Sequence, residues 1–170
     1  MSQRLSGLHS LCFSARHLRK RITLFGLVVF FSATSIMVHC FERIVLNGTP
    51  SVRAHILIKA PAEAPRKGDY VLVPIESRFL PNRYNSLTKK VLCVEGDLLQ
   101  FKRGAFYCNG EFLHRPKHIS LSGAPLTAFL WSDAVVPQGK VYVGSPHPDG
   151  FDSRYLGLFD IDDLTRLEAL

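Results

Sequence analysis

The sequence predicts a mainly β domain, a barrel or a sandwich, carried behind one N-terminal membrane-spanning helix. Three observations predict it. Residues 22–41 form a charge-free apolar run, a series of short β-rich runs follows, and ten prolines and twelve glycines, mostly in that second part, supply the turns of an all-β domain. At 170 residues the chain has length for about one folded domain. With 46% hydrophobic and 21% charged residues it is too apolar for a disordered tail and too mixed for a polytopic membrane protein.

The charge is unevenly placed. Residues 1–21 carry Arg4, Arg16, Arg19, Lys20 and Arg21 and no acidic residue, so five of the seven surplus positive charges precede the apolar run. The run itself, 22–41, is 20 residues long, and at ~1.5 Å per residue it matches the ~30 Å hydrocarbon core of a bilayer. Residues 42–170 hold 16 basic and 14 acidic residues, a net +2. A basic cluster directly before an apolar span is the positive-inside pattern, which puts the N-terminus in the cytoplasm and everything after Phe41 outside it.

The run is longer than a secretory h-region and ends in Met37-Val38-His39-Cys40 without a small-residue cleavage site, which favours an uncleaved anchor. His39 is too bulky for lipoprotein processing at Cys40, and few buried core helices run 20 residues without a charge. Outside the cytoplasm a disulfide is chemically allowed. Cys93 and Cys108 are the two cysteines beyond the run. They could pair or stay as inert core thiols, because spacing alone does not decide the geometry.

After the anchor, strands are expected at Tyr70–Ile75, Lys90–Val94, Leu98–Phe101, Ala105–Cys108 and Lys140–Val143, each rich in β-branched or aromatic residues and bounded by Gly, Asn, Asp or Pro. Asn109-Gly110 is a strong tight-turn signal and Arg103-Gly104 a weaker one. Residues 116–137 have few strand signals and read as a long connection or small cap. The segment Asp160–Leu170 reads as a short helix capped by Asp160 or Asp162, on the spacing of Leu164 and Leu167.

Several chemistries can be set aside. His114 and His118 are four apart, but no HExxH, no CxxC and no carboxylate in register accompanies them, so they read as solvated or hydrogen-bonded histidines and no metal site is expected. There is no Gly-rich phosphate loop and no Gly-x-Ser-x-Gly elbow, and no cofactor is expected. Asn47-Gly48-Thr49 fits a glycosylation sequon, too short a pattern to carry weight. The nearly balanced exported part has no basic stripe interleaved with aromatics, which argues against nucleic acid as partner.

A serine hydrolase can work without histidine when an uncharged lysine takes the serine's proton. Such a lysine must titrate well below its ordinary ~10.4, and burial among apolar side chains lowers it in that direction. Lys89-Lys90 precede the apolar run Val91-Leu92-Cys93-Val94. Strand alternation lets only one of the two face a hydrophobic floor; equally, such a pair can be a solvated strand end.

The order of the segments narrows this choice. Thr49-Pro50-Ser51-Val52 lies just after the anchor. There follow Pro65-Arg66-Lys67-Gly68-Asp69-Tyr70, then Lys89-Lys90-Val91 with Gly96-Asp97, the Asn109-Gly110 hairpin, Val136 to Gly144, and Phe151-Asp152-Ser153-Arg154-Tyr155-Leu156-Gly157. This succession resembles the type I signal peptidase family of membrane-anchored Ser/Lys proteases, from the anchor nearly to the C-terminus. The K-K-V…G-D and D-S-R-Y-x-G blocks carry most of the likeness.

The resemblance implies a signal-peptidase-like fold and a set of roles. Ser51 matches the nucleophile and Lys89 the general base, with Lys90 at a neighbouring basic position of structural role. The Thr49 hydroxyl and the Ser51 backbone N–H match the oxyanion-hole donors. Asp152 and Arg154, with Ser153 between them, fall on the pair that braces the lysine's surroundings. Gly150 stands where many members have a serine bonded to the lysine, so another group or a water would have to orient Lys89.

The Thr-Pro-Ser context is similar to the conjugative-transfer, TraF-type branch that matures pilin subunits, although Val52, Arg53, His55 and Leu57 depart from the usual patterns. The implied protein is a single-pass enzyme of the bacterial inner membrane with a periplasmic catalytic domain. It would act on an exported precursor such as propilin, by hydrolysis or by cyclisation, beside other mating-pore components. A housekeeping signal peptidase and a catalytically silent scaffold of the mating apparatus are the alternatives.

Overall fold

The computed structural model describes residues 4–48, 52, 56–61, 63–75 and 85–170, with side chains from Lys20 onward. The chain divides into two compact units, Met1–Arg43 and Ile44–Leu170.

The first unit is one helix, α1 (Arg4–Glu42), 39 residues long. Its stretch Lys20–Glu42 has a mean hydropathy of 2.0 and is long and apolar enough to cross a membrane. The helix continues the expected span back through the basic residues. Phe25 and Phe31 project outward, 71% and 66% exposed, as lipid-facing side chains do. The Thr34 hydroxyl folds back onto the Phe30 and Phe31 carbonyls, so this polar side chain needs no water inside an apolar span.

The second unit is mainly β, built from two antiparallel sheets. Its strands are β1 (Ile44–Leu46), β2 (Ile56–Lys59), β3 (Tyr70–Pro74), β4 (Ser86–Cys93), β5 (Leu98–Lys102), β6 (Ala105–Cys108), β7 (Glu111–His114), β8 (Ala134–Val135), β9 (Lys140–Gly144), β10 (Phe159–Asp160) and β11 (Thr165–Ala169). Seven strands pair in the order β1-β2-β11-β3-β4-β9-β10, and four in the order β7-β6-β5-β8.

The two hairpins are of the expected kind. Arg103 and Gly104 both have positive φ (51° and 70°), as do Asn109 and Gly110 (50° and 84°), the signature of two-residue turns whose twist matches that of the flanking strands. Between the hairpins and β9, the connection holds one isolated bridge, Ile119 to Pro125, and then β8. Trp131 ties it down by donating its indole N–H to the Leu99 carbonyl at 3.0 Å.

The C-terminal segment corrects the sequence reading. Asp160–Leu170 is not a helix: a 3-10 turn, Ile161–Asp163, leads into strand β11, and Asp160 makes no side-chain cap. Two leucines at helical spacing are a weak signal. Here the stronger demand is the unpaired edge of β3, whose backbone groups β11 satisfies while also pairing with β2. Leu167 is then the buried residue of an alternating strand.

Each face of β9 packs on a different core. Val141 and Val143 join Val71, Val73, Val91 and Leu164, whereas Tyr142 joins Cys93, Leu99, Phe106, Cys108 and Val136. Strand β4 serves both cores because its register with β9 shifts between Val91 and Cys93, and the extra residue turns Cys93 to the other side. There Cys93 is disulfide-bonded to Cys108, with Cα atoms 5.9 Å apart, which joins the two sheets covalently. The bond closes a sequence separation of 15 residues, a constraint of the unfolded chain of about 3 kcal/mol. Replacing both cysteines by alanine is expected to lower Tm by roughly 10 °C in a thermal melt; an unchanged Tm would show that core packing alone holds the sheets together.

Candidate functional site

The site is built around Lys89. Strand β4 begins at Ser86, so the two lysines lie inside a strand and not at a solvated end. Alternation turns Lys89 to the same side as Val91 and leaves Lys90 half-buried. Lys89 sits directly opposite Val71 of β3, and Val91 opposite Val143 of β9. Its side chain is therefore 3% exposed, on a floor of fully buried valines.

Burial holds the Lys89 amine below its ordinary titration range. The Asp152 charge opposes this and the Arg154 charge reinforces it. Asp152 is a poor counter-ion for the lysine because its oxygens are already taken. Oδ1 accepts from Arg154 Nε at 2.8 Å and from the Arg154 backbone N–H at 3.2 Å, and Oδ2 accepts from Arg154 Nη2 at 2.9 Å and from the Ser145 backbone N–H at 3.1 Å. Among the described residues no carboxylate forms an ion pair with Lys89.

Asp152 also caps the single helical turn α2 (Ser153–Leu156), and the Ser153 hydroxyl accepts from the Val143 N–H at 2.8 Å, which fastens the turn to β9. Arg154, 0% exposed, holds the loop between them: Nη2 donates to the Ser145 carbonyl at 2.9 Å and Nη1 to the Pro148 carbonyl at 3.2 Å. Gly150 is buried against this cluster. A Cβ there would lie 2.5 Å from Ser145 Oγ and 2.9 Å from both Arg154 Nη2 and Asp152 Oδ2.

Sequence reasoning passed over the partner on the far side. His114 is buried, and Arg154 Nη2 lies 3.3 Å from its Nδ1. His114 Nε2 shares a hydrogen bond with Tyr142 Oη at 2.7 Å. Burial lowers the His114 pKa to about 4. A histidine and a tyrosine on separate strands carry no sequence signal for this. His118 is exposed and takes no part.

Ser51 and Thr49 lie outside the described residues. Of their neighbours, Val52 is 5% exposed, and its carbonyl accepts from the Asn47 side-chain amide at 3.1 Å. Asn47 is thus a buried structural residue and not an open glycosylation acceptor. The remaining motif blocks converge on one corner, where Asp97 accepts from Lys67 Nζ at 3.1 Å, from the Val94 N–H at 3.1 Å and from the Asn109 side chain at 2.7 Å. Burial pushes the Asp97 carboxyl up, but these three donors together hold it below its ordinary value. Cys93, Asp97 and Cys108 cluster there within 4.8 Å, yet the sulfurs are bonded to each other and offer no thiolate to a metal.

Two pH effects follow. The folded state holds neutral His114, whereas the unfolded chain takes up a proton below pH 6.5, so stability falls from about pH 6.5 down to about pH 4 and levels off below. The loss, on the order of 3 kcal/mol in urea unfolding, is expected to vanish in His114→Gln. Lys89 behaves likewise on the alkaline side: folding disfavours its charged form, which costs stability at every pH below the ordinary lysine range. Lys89→Met is therefore expected to raise Tm by a few degrees at pH 7; a lowered Tm would reveal a counter-charge that stabilises the ammonium.

Comparison with known proteins bears on the whole of this arrangement. The family model described as signal peptidase, peptidase S26, matches residues 16–167. No curated protein matches the chain. A match that runs from the helix α1 through the strands to β11 covers the lysine strand, the buried pair and both sheets. The chain belongs to the signal peptidase (peptidase S26) family, serine peptidases that remove signal peptides from exported precursors.

Proposed function

We propose that the chain is a membrane-anchored endopeptidase with a Ser51/Lys89 dyad. The observation that carries this reading is the burial of Lys89 on a valine floor with no ion-pair partner among the described residues. Neutral Lys89 takes the Ser51 proton, Ser51 Oγ attacks the scissile carbonyl, and the oxyanion is held by the Thr49 hydroxyl and the Ser51 N–H. The amine of the leaving segment departs with a proton, and the acyl-enzyme is resolved by water or by an amine of the substrate. Asp152, Ser153 and Arg154 keep the lysine's surroundings rigid, with Lys90 beside it.

A substrate strand has a place to pair. Strand β3 is flanked on both sides by β11 and β4, so the Tyr70–Ile75 run can only line the site. The pairing of β4 with β9, by contrast, starts at Lys90, which leaves Ser86, Leu87 and Thr88 with an open backbone edge among the described residues. That edge leads directly to Lys89. Small residues before the scissile bond suit such a shallow approach.

For topology we propose a cytoplasmic basic segment at 1–21, a single inner-membrane span at 22–41 and a periplasmic domain at 42–170, with 116–137 as a small cap. The Cys93–Cys108 disulfide supports an oxidising compartment. The substrate we propose is a propilin of a conjugation system, on the Thr49-Pro50-Ser51 context.

The test is intact-mass spectrometry of the co-expressed precursor. Wild-type chain is expected to shorten it, and Ser51→Ala or Lys89→Ala to leave it at full mass while remaining folded. Continued cleavage by either variant would overturn the dyad. A mature product lighter by one water than the linear peptide reports ring closure, and growth rescue of a host depleted of its own signal peptidase would favour the housekeeping role.

A further inference from the structure

Besides the apolar core they share, the two sheets are tied at two points. One is the disulfide, which joins Cys93 of β4 to Cys108 of β6. The other is His114 at the end of β7, whose ring lies 3.3 Å from Arg154 Nη2 and 2.7 Å from Tyr142 Oη. The same ring presses on β9, where a Cβ at Gly144 would stand 2.7 Å from His114 Cε1.

Both ties start from one hairpin. Strands β6 and β7 pair from Cys108 and Glu111 at the turn to Phe106 and His114 at the far end, so the position of Cys108 helps to fix that of His114. The ties end beside the lysine. Cys93 follows Lys89 by four residues on β4, Gly144 is opposite Lys90, and Arg154 holds Asp152 and the Ser145 carbonyl. Lysine strand, disulfide, hairpin, imidazole and guanidinium thus form a closed ring of contacts that borders Lys89, and the S–S bond is the link in it that a reductant can open. Both cysteines are buried, but Cys108 Sγ lies 3.5 Å from Lys67 Nζ and 3.4 Å from Asp97 Oδ2, side chains that are 41% and 16% exposed. A surface lysine therefore covers the sulfur on that side.

We propose that the Cys93–Cys108 bond is a redox switch on the peptidase: intact, it holds the hairpin and the surroundings of Lys89 in the active arrangement, and reduced by a dithiol it leaves a folded chain of low activity. The proposal rests on the reading of Lys89 as general base. In the switching step one thiolate of the dithiol attacks Cys108 Sγ, and Cys93 leaves as a thiolate and is protonated. The second thiolate of the reagent then displaces Cys108, which is protonated in turn. Two electrons pass to the protein and the dithiol ends as a cyclic disulfide. A disulfide oxidant reverses the step, so full activity belongs to a compartment that supplies one.

The experiment uses the full chain in detergent micelles, with Cys12→Ser and Cys40→Ser removing the other two thiols, and a quenched fluorescent peptide that carries alanines before its scissile bond. Graded ratios of reduced to oxidised dithiothreitol set the state of the bond, which alkylation and intact mass report. As the bond opens, kcat is expected to fall roughly ten- to a hundredfold, the effect of a small misplacement of a catalytic group, with KM within about twofold. The acidic limb of the kcat/KM profile is expected to move to higher pH, since a looser site disfavours the lysine's charge less. Reoxidation is expected to restore both. In the oxidised chain His114→Gln is expected to lower kcat to a similar degree, and reduction of that variant to add little.

Full kcat with the bond shown open would overturn the proposal. So would a bond that resists dithiothreitol in the folded chain, or a fall in kcat that only follows loss of the fold in a thermal melt of the reduced chain. Full additivity of reduction and His114→Gln would overturn it too, because the two would then act by separate routes. Lys89→Ala is assayed in parallel: cleavage by it would sink the general-base reading, and its silence beside undiminished activity of the reduced chain would sink the switch alone.

Discussion

The buried ion pair of Arg154 and Asp152 is the interaction on which the rest of the site depends. Both side chains are essentially inaccessible to water, so each would carry a large desolvation penalty alone. The penalty is offset because the guanidinium fork meets the carboxylate with two nitrogens and places further bonds on the carbonyls of Ser145, His147 and Pro148 and on His114. A lysine could not replace this arginine, since its single ammonium cannot span partners spread over so many positions. Breaking such a pair by removing one partner typically costs about 3 to 5 kcal/mol. Here it would also release the loop that follows β9.

The same pair sets the electrostatics of Lys89 by exclusion. A free Asp152 beside the lysine would stabilise the ammonium; an Asp152 saturated by Arg154 and the Ser145 N–H leaves burial as the dominant influence. His114 belongs to this logic, since its ring lies against Arg154 and burial disfavours its charged form. A charged imidazole there would add a second buried cation to the guanidinium. The network thus joins the four-stranded sheet, through β7, to the loop that borders Lys89.

The strands divide their labour through one irregularity. Without the register shift after Val91, Cys93 would face the core that holds Lys89 and could not reach Cys108. With it, β4 presents a lysine and a valine to one core and a cysteine to the other. The anchoring of the two sheets and the burial of the lysine therefore come from a single strand.

Much of this was legible in the sequence where the cause is local. The charge-free run makes a helix whatever follows it; Arg103-Gly104 and Asn109-Gly110 adopt positive φ because their neighbours are strands that need a tight reversal; and alternation alone dictates that Lys89 and Lys90 cannot both be buried. What the tertiary structure decided is every relation between distant segments. The C-terminal residues became a strand because β3 had an open edge. Cys93 and Cys108 paired because a bulge turned one toward the other. Gly144 came to lie opposite Lys90, 54 positions away in the chain, through the register of β4 and β9. Periodicity and turn chemistry act over a few residues and can be read in order, but register, burial and the partners of a buried charge are set by packing, which no segment specifies by itself.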